Sequence, residues 1–144
     1  MVDANVWLAA SGAREPFHAD SAAFLLTAIT QSVDFVEPRL ALVEVAASSA
    51  RRTHGAAEGR DAADRLTRVP GVQFFDLDEA RAESASDLAS RLFLRGADAT
   101  YAALALEHQC GLVTLDHELH VRAAAEEATF TPVEWLAQFA VAQP

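Results

Sequence analysis

The stretch Gly96–Asp116, GADATYAALALEHQCGLVTLD, reads as a helix, a stop and a strand. Ala99, Tyr101, Ala102, Leu104, Ala105 and Leu106 are helix formers or core fillers, uninterrupted by proline or glycine. Asp98 stands where an N-cap or first-turn acid belongs, and Gly111 where a helix gives way. Leu112, Val113 and Leu115 then form a short apolar run of the kind a buried parallel strand needs. Thr114 and Asp116 are two residues apart, so an extended chain points both to one side. In open α/β sheets, functional groups collect beyond the carboxyl ends of the strands, and Asp116 falls at such an end.

Outward from this stretch, the same alternation continues. Met1–Trp7, MVDANVW, predicts a short strand running into a loop, since β-branched and aromatic residues alternate with Asp3 and Asn5. Asp20–Thr30 carries Ala22, Ala23, Leu25, Leu26 and Ile29 at helical spacing, with Asp20 or Ser21 as the cap. Val33–Val36 predicts a second strand closed by Glu37-Pro38, and Pro38 can open the next helix, Arg39 to about Arg52. His54-Gly55 ends that helix, and Asp61–Arg68 predicts a short one stopped by Pro70-Gly71. A third strand starts at Val72 and ends at Phe75 or Leu77, and Asp78 caps a long helix to about Arg95. Beyond Asp116, the pattern predicts a helix over Glu118–Glu127, an edge strand at Thr129–Thr131 and a last helix opened by Pro132. Alternating strands and helices imply a mainly parallel sheet with right-handed crossovers, hence an α/β fold. No repeat, linker or low-complexity tract divides residues 1–144, so a single domain is expected.

With 144 residues and 51 % apolar composition, the chain can bury a proper core. No apolar run approaches the ~20 residues of a membrane span. The N-terminus has no basic region before an apolar stretch, so no signal peptide is expected. The single cysteine, Cys110, sits at an apolar helix end and reads as a buried inert thiol, which fits a reducing, cytoplasmic setting. A net charge of −10 argues against a general polyanion-binding surface. Its distribution is uneven, because Arg39, Arg51, Arg52, Arg60, Arg65 and Arg68 face only Glu44, Glu58, Asp61 and Asp64 in the same span. Every cationic side chain is arginine, which suits bidentate phosphate contacts; coding bias would give the same composition.

Four acids have an unusual setting. Asp3 follows an apolar residue and shares its side of the chain with Asn5, although a solvated terminal acid would look the same. Glu44 is flanked by Val43, Val45, Ala46 and Ala47, so it lies on an exposed stripe or is a partly buried functional acid. Asp98 and Asp116 could each be ordinary helix caps. Together they are stronger, because four carboxylates in one cleft repel one another unless a cation joins them. Oxygen ligands of this kind suit Mg²⁺ or Mn²⁺, and a bound ion of that type lowers the pKa of a water and stabilises charge on a displaced phosphoryl group. Thr114 and Asn5 are placed to orient the carboxylates.

The segments DANVW at Asp3, LALVEVAAS around Glu44, GADATYAALALEH at Asp98 and GLVTLDHEL at Asp116 together resemble the PIN-domain nucleases, in particular the VapC toxins of bacterial and archaeal toxin–antitoxin pairs. The resemblance covers nearly the whole chain in the right order, and the segment from Asp98 to the Thr-x-Asp ending is its most specific part. It implies a three-layer α/β/α sandwich, a Mg²⁺- or Mn²⁺-dependent endoribonuclease, a homodimer, and a cognate VapB-like antitoxin covering the active site. By position, Asp3, Glu44, Asp98 and Asp116 match the family's metal-binding acids, and Asn5 and Thr114 its polar helpers. One departure stands out: only Met1 and Val2 precede Asp3, so the first strand is expected to be clipped or the chain to lack its natural start.

Other features carry less. Glu118 could add an outer ligand but reads better as a solvated helix-start acid. His117 and His120 share a helix face without a third ligand for zinc. Trp7 and Trp135 lack the basic aromatic neighbourhood of a base-stacking platform. Arg51, Arg52, Arg60, Arg65 and Arg68 either guide RNA or an antitoxin or form a solvated face. The leading expectation is an endoribonuclease with a metal-activated water, against a catalytically silent PIN-like protein-binding module. A phosphatase or phosphoacceptor is disfavoured because Asp-x-Asp and a suitably placed lysine are missing.

Overall fold

The computed structural model describes residues 1–140, so the last four residues of the expected single domain lie outside the described part. The described residues form α1 (Ala4–Ser11), α2 (His18–Thr30), β1 (Phe35–Pro38), α3 (Leu40–Thr53), α4 (Ala56–Thr67) and β2 (Val72–Phe75), followed by α5 (Glu79–Leu92), α6 (Gly96–Glu107), β3 (Leu112–Val113), α7 (His117–Ala123), β4 (Thr129–Phe130) and α8 (Pro132–Phe139). This is the expected α/β fold, with short parallel strands between helices.

Helix α6 is the spine of the molecule. Every residue from Ala99 to Ala105 is buried, so the helix is covered on all sides rather than on one stripe. Its four alanines in that run let neighbours approach closely: α5 packs along it, and β1 and β3 lie against it. Elsewhere, α1 packs on α2 and α3, α3 on α4, and α2 on α8. Gly59 marks the closest approach of α3 and α4, since a Cβ there would sit 2.7 Å from the Ala46 carbonyl oxygen. That contact explains why α4 tolerates an interior glycine and starts at Ala56, five residues before the helix expected from Asp61.

The sheet is parallel but split. In β1 and β2 the pairs run from Phe35–Val72 to Pro38–Phe75, and β3 pairs with β4 through Leu112–Thr129 and Val113–Phe130. Residues Met1–Asp3 connect the halves. On one side, Val113 N–H donates to Met1 O at 3.0 Å and Asp3 N–H donates to Val113 O at 2.9 Å. On the other, Val2 N–H donates at 2.9 Å to a carboxylate oxygen of Glu37 in β1 rather than to a backbone carbonyl. A side chain thus replaces a ladder bond, which accounts for the interruption.

Three boundaries differ from expectation. The N-terminal strand is a single bridge, Val2 to Val113, and residues 4–7 are helical because Asp3 adopts the extended backbone of an N-cap and Ala4 to Ser11 follow as helix. The second strand lies two residues later than Val33–Val36, and Pro38 ends it instead of opening α3. Helix α7 stops at Ala123, short of Glu127. Cys110 is half-buried rather than buried. The final helix opens as expected, with a capping box between Thr131 and Glu134. No helix among the described residues is long and apolar enough to cross a membrane.

Candidate active site

Asp3 lies at the point where the N-terminal bridge turns into α1. Its carboxylate accepts 2.6 Å hydrogen bonds from Thr114 Oγ1 and Asn5 Nδ2. Thr114 is fully buried, and its hydroxyl oxygen also accepts from Asp116 N–H at 2.9 Å. Asn5 completes the lock, as its Oδ1 accepts from Leu115 N–H at 3.1 Å. The start of α1 is therefore sewn to the chain that leaves β3, and one hydroxyl joins Asp3 to Asp116. Burial pushes the Asp3 carboxyl up to about 6, with the charges of Glu44 and Asp98 adding to the rise and the bonds from Thr114 and Asn5 opposing it.

Asp98 and Asp116 meet through a cation that sequence reasoning did not single out. Arg95, the residue preceding α6, donates from Nε to Asp98 at 2.8 Å and from Nη2 to Asp116. Burial raises the Asp98 pKa, Arg95 lowers it, and the Asp116 charge raises it again. For Asp116, burial pushes up, but bonds from Leu119 N–H, Arg95 and Glu118 N–H hold its carboxyl below the usual range. Those two N–H donors belong to the first turn of α7, so Asp116 is both that helix's cap and a member of the acid cluster.

Glu44 reaches the cluster from the first half of α3. Its carboxylate accepts a 2.7 Å bond from the hydroxyl of Tyr101, which is 1 % exposed. Burial followed by the Glu44 charge drives the Tyr101 pKa well above normal, so the phenol is a fixed donor. Tyr101 follows Asp98 by three residues on α6, a spacing that places the two on neighbouring turns; this was the signal that could have picked it out. Glu37, a strand end by its sequence, lies within β1. It is completely buried, and burial pushes its carboxyl up to about 8.

The five arginines of α3 and α4 stand apart from the acids. Arg51, Arg52, Arg60, Arg65 and Arg68 are exposed; Arg52 pairs with Glu15 at 2.9 Å, and none is paired with the four acids among the described residues. Arg51 and Arg52 occupy the last turn of α3, about 10 Å along the helix from Glu44. Glu118 is spent on Arg122, at 2.8 Å. His120 Nε2 lies 3.7 Å from Glu134, and His117 is exposed. Both tryptophans pack in the interior, Trp7 edge-on to Phe35 and Trp135 to Phe24.

Among the described residues, no three His, Cys, Asp or Glu side chains converge into a ready-made metal cage. An open set of carboxylates is nevertheless what Mg²⁺ or Mn²⁺ uses, because those ions keep several waters and take only one or two protein carboxylates. The guanidinium between Asp98 and Asp116 shows that this place accepts positive charge. The donor set fits a hard divalent ion.

The PIN domain family model matches residues 1–125. No curated protein matches the chain. With Asp98 and Asp116 sharing Arg95, and Asp3 and Asp116 sharing the Thr114 hydroxyl, the chain belongs to the PIN domain family.

Proposed function

We propose that the chain, as a single domain over residues 1–144, is a Mg²⁺- or Mn²⁺-dependent endoribonuclease, the toxin of a VapBC-type toxin–antitoxin pair. PIN domains are generally metal-dependent nucleases. The observation that carries the finer reading is the Arg95 guanidinium held between Asp98 and Asp116, together with an Asp3 whose ionisation is resisted by burial and then by the charges of Glu44 and Asp98. Such a cluster stores repulsion that a divalent cation relieves.

In this reading Asp3, Glu44, Asp98 and Asp116 would hold one or two ions, which would supply an activated water and neutralise charge on the phosphate. Thr114 and Asn5 fix the Asp3 carboxylate, Tyr101 fixes that of Glu44, and the first turn of α7 fixes that of Asp116. Arg95 would have to release at least one of its two acids to a bound ion, and its exposed guanidinium would then be available to a phosphate of the RNA backbone. A VapB-like antitoxin would inhibit by placing a basic side chain among the same acids. A homodimer would cover exposed apolar residues such as Val43 and Phe93. A cytoplasmic location goes with this role.

One observation favours the alternative, a silent PIN-like protein-binding module: Arg95 already neutralises two of the four acids. Calorimetric titration of Mn²⁺ into the wild type, Asp98→Asn and Asp116→Asn, with incubation of each in a mixed RNA pool, separates the readings. Metal uptake and discrete cuts, both lost in the variants while the fold persists, are expected of the nuclease. Absence of both in the wild type would leave the binding module.

A further inference from the structure

We propose that the cavity beside Asp116 is a nucleobase subsite, which takes one unstacked base of single-stranded RNA adjacent to the phosphate that is cut and so selects the sequence. The inference rests on the nuclease reading above. The cavity, about 300 Å³, lies within the size range of pockets that hold small organic groups. Thr114 and Asp116 form part of its wall, so it is continuous with the acid cluster. A base held there leaves its own phosphate beside the acids.

The remaining wall suits a flat, neutral, aromatic ring. Leu115, Pro132 and Val133 give it apolar sides, and Phe17 and His117 add two rings with planar faces. Phe17 is 62 % exposed and stacks on no other aromatic ring among the described residues. Its backbone is left-handed, with φ of 62°, a conformation that a bulky L residue rarely adopts. The fold thus presents an aromatic ring to solvent at the mouth of a cavity, against both its hydrophobicity and its backbone preference. Unpaired bases are bound by such rings through stacking, with polar groups reading their edges. Besides Thr114 and Asp116, the polar side chains lining the cavity are Asp20, His117, His120 and Thr131. Asp20 and Asp116 also set its charge: two carboxylates repel a phosphate but accept the amino group of a base.

The test uses an RNA whose cut site has been mapped from a pool, and copies of it with one abasic nucleotide at each position near the cut. Single-turnover cleavage is followed with wild type, Phe17→Ala and His117→Ala, each checked for folding by circular dichroism. At one position, loss of the base should lower wild-type efficiency roughly tenfold or more, and Phe17→Ala should show the same loss on the intact RNA with little further loss on the abasic copy. Independent losses, or a Phe17→Ala enzyme with unchanged efficiency and sequence preference, would overturn the subsite. Anisotropy of the labelled RNA with the same proteins keeps the two readings apart. If nothing is cleaved, the nuclease reading falls, whereas abasic-sensitive binding that disappears in Phe17→Ala still supports the subsite. Unchanged RNA binding combined with lost binding of a protein partner would overturn it in favour of a protein-docking cavity.

Discussion

Glu37→Gln should make the protein more stable above neutral pH and almost indifferent below pH 5. In the folded chain the Glu37 carboxyl is fully buried, and burial raises its pKa from an ordinary 4.5 to about 8. One of its oxygens receives Val2 N–H, and the other is buried without a partner. The unfolded chain therefore releases this proton near 4.5, whereas the folded chain keeps it until about 8. Between those values the native state binds more protons than the unfolded state, so stability falls as pH rises. The contribution is fully present below the unfolded value and has been lost once pH passes the folded one. Three to four pH units at about 1.4 kcal/mol each give an upper bound of about 5 kcal/mol. Glutamine keeps the acceptor for Val2 and has no proton to lose. Asp3 and Glu127 are also raised, to about 6 and about 8, and slope the same way, so the difference between the two proteins is the quantity to read. Urea unfolding of both proteins from pH 5 to 8.5 supplies it. The curves should diverge with rising pH, by several kcal/mol at the alkaline end. A constant offset would mean that Glu37 titrates normally in the fold, and the account of the split sheet would fail with it.

Three further outcomes are expected. Arg95→Ala should tighten Mn²⁺ binding by roughly two- to fivefold in calorimetry, a modest gain because the Arg95 side chain is 63 % exposed; weaker binding would show that Arg95 assists rather than competes. Tyr101→Phe removes the donor to Glu44 and should cost about 1.5–3 kcal/mol in urea unfolding without altering the far-ultraviolet spectrum; an unchanged midpoint would mean that water replaces the phenol. Because the Asp3 carboxyl is raised to about 6, its protonation should compete with metal, so Mn²⁺ affinity should fall steeply as pH drops through 6. A flat affinity from pH 7 to 5 would exclude Asp3 as a ligand.

The helix–stop–strand from Gly96 to Asp116 was legible because local signals agree there: good helix formers, a stop at Gly111 and an apolar strand. At the N-terminus they compete. Val2, Val6 and Trp7 favour a strand, but the cap at Asp3 and the run Leu8–Ala10 favour a helix, which wins from Ala4 onward. The start of α4 was hidden by Gly59, whose acceptability depends on Ala46 across the helix pair. The same division runs through the site. Asp3, Glu44, Asp98 and Asp116 could be noticed singly, as acids in apolar settings. Arg95, Tyr101 and Glu37 draw their meaning from partners 21, 57 and 35 residues away in the chain. No local pattern encodes such pairs.

The placement of Met1–Asp3 between the two halves of the sheet has a consequence for how the protein comes into being. Met1 and Asp3 are held by the backbone of Val113, and the Asp3 carboxylate by Thr114, 111 residues further along the chain. At ribosomal speeds of about 5–20 residues per second, that separation amounts to roughly 5–20 seconds during which residues 1–3 cannot bridge to β3. Closing so long a loop is also a late and slow event in folding. A chain cut short before β3 would contain Asp3, Glu44 and Asp98 and still lack the seam that sets them in place. Competence of the acid cluster is therefore tied to the arrival of β3: Asp3 is fixed in place only once Val113 and Thr114 have been made.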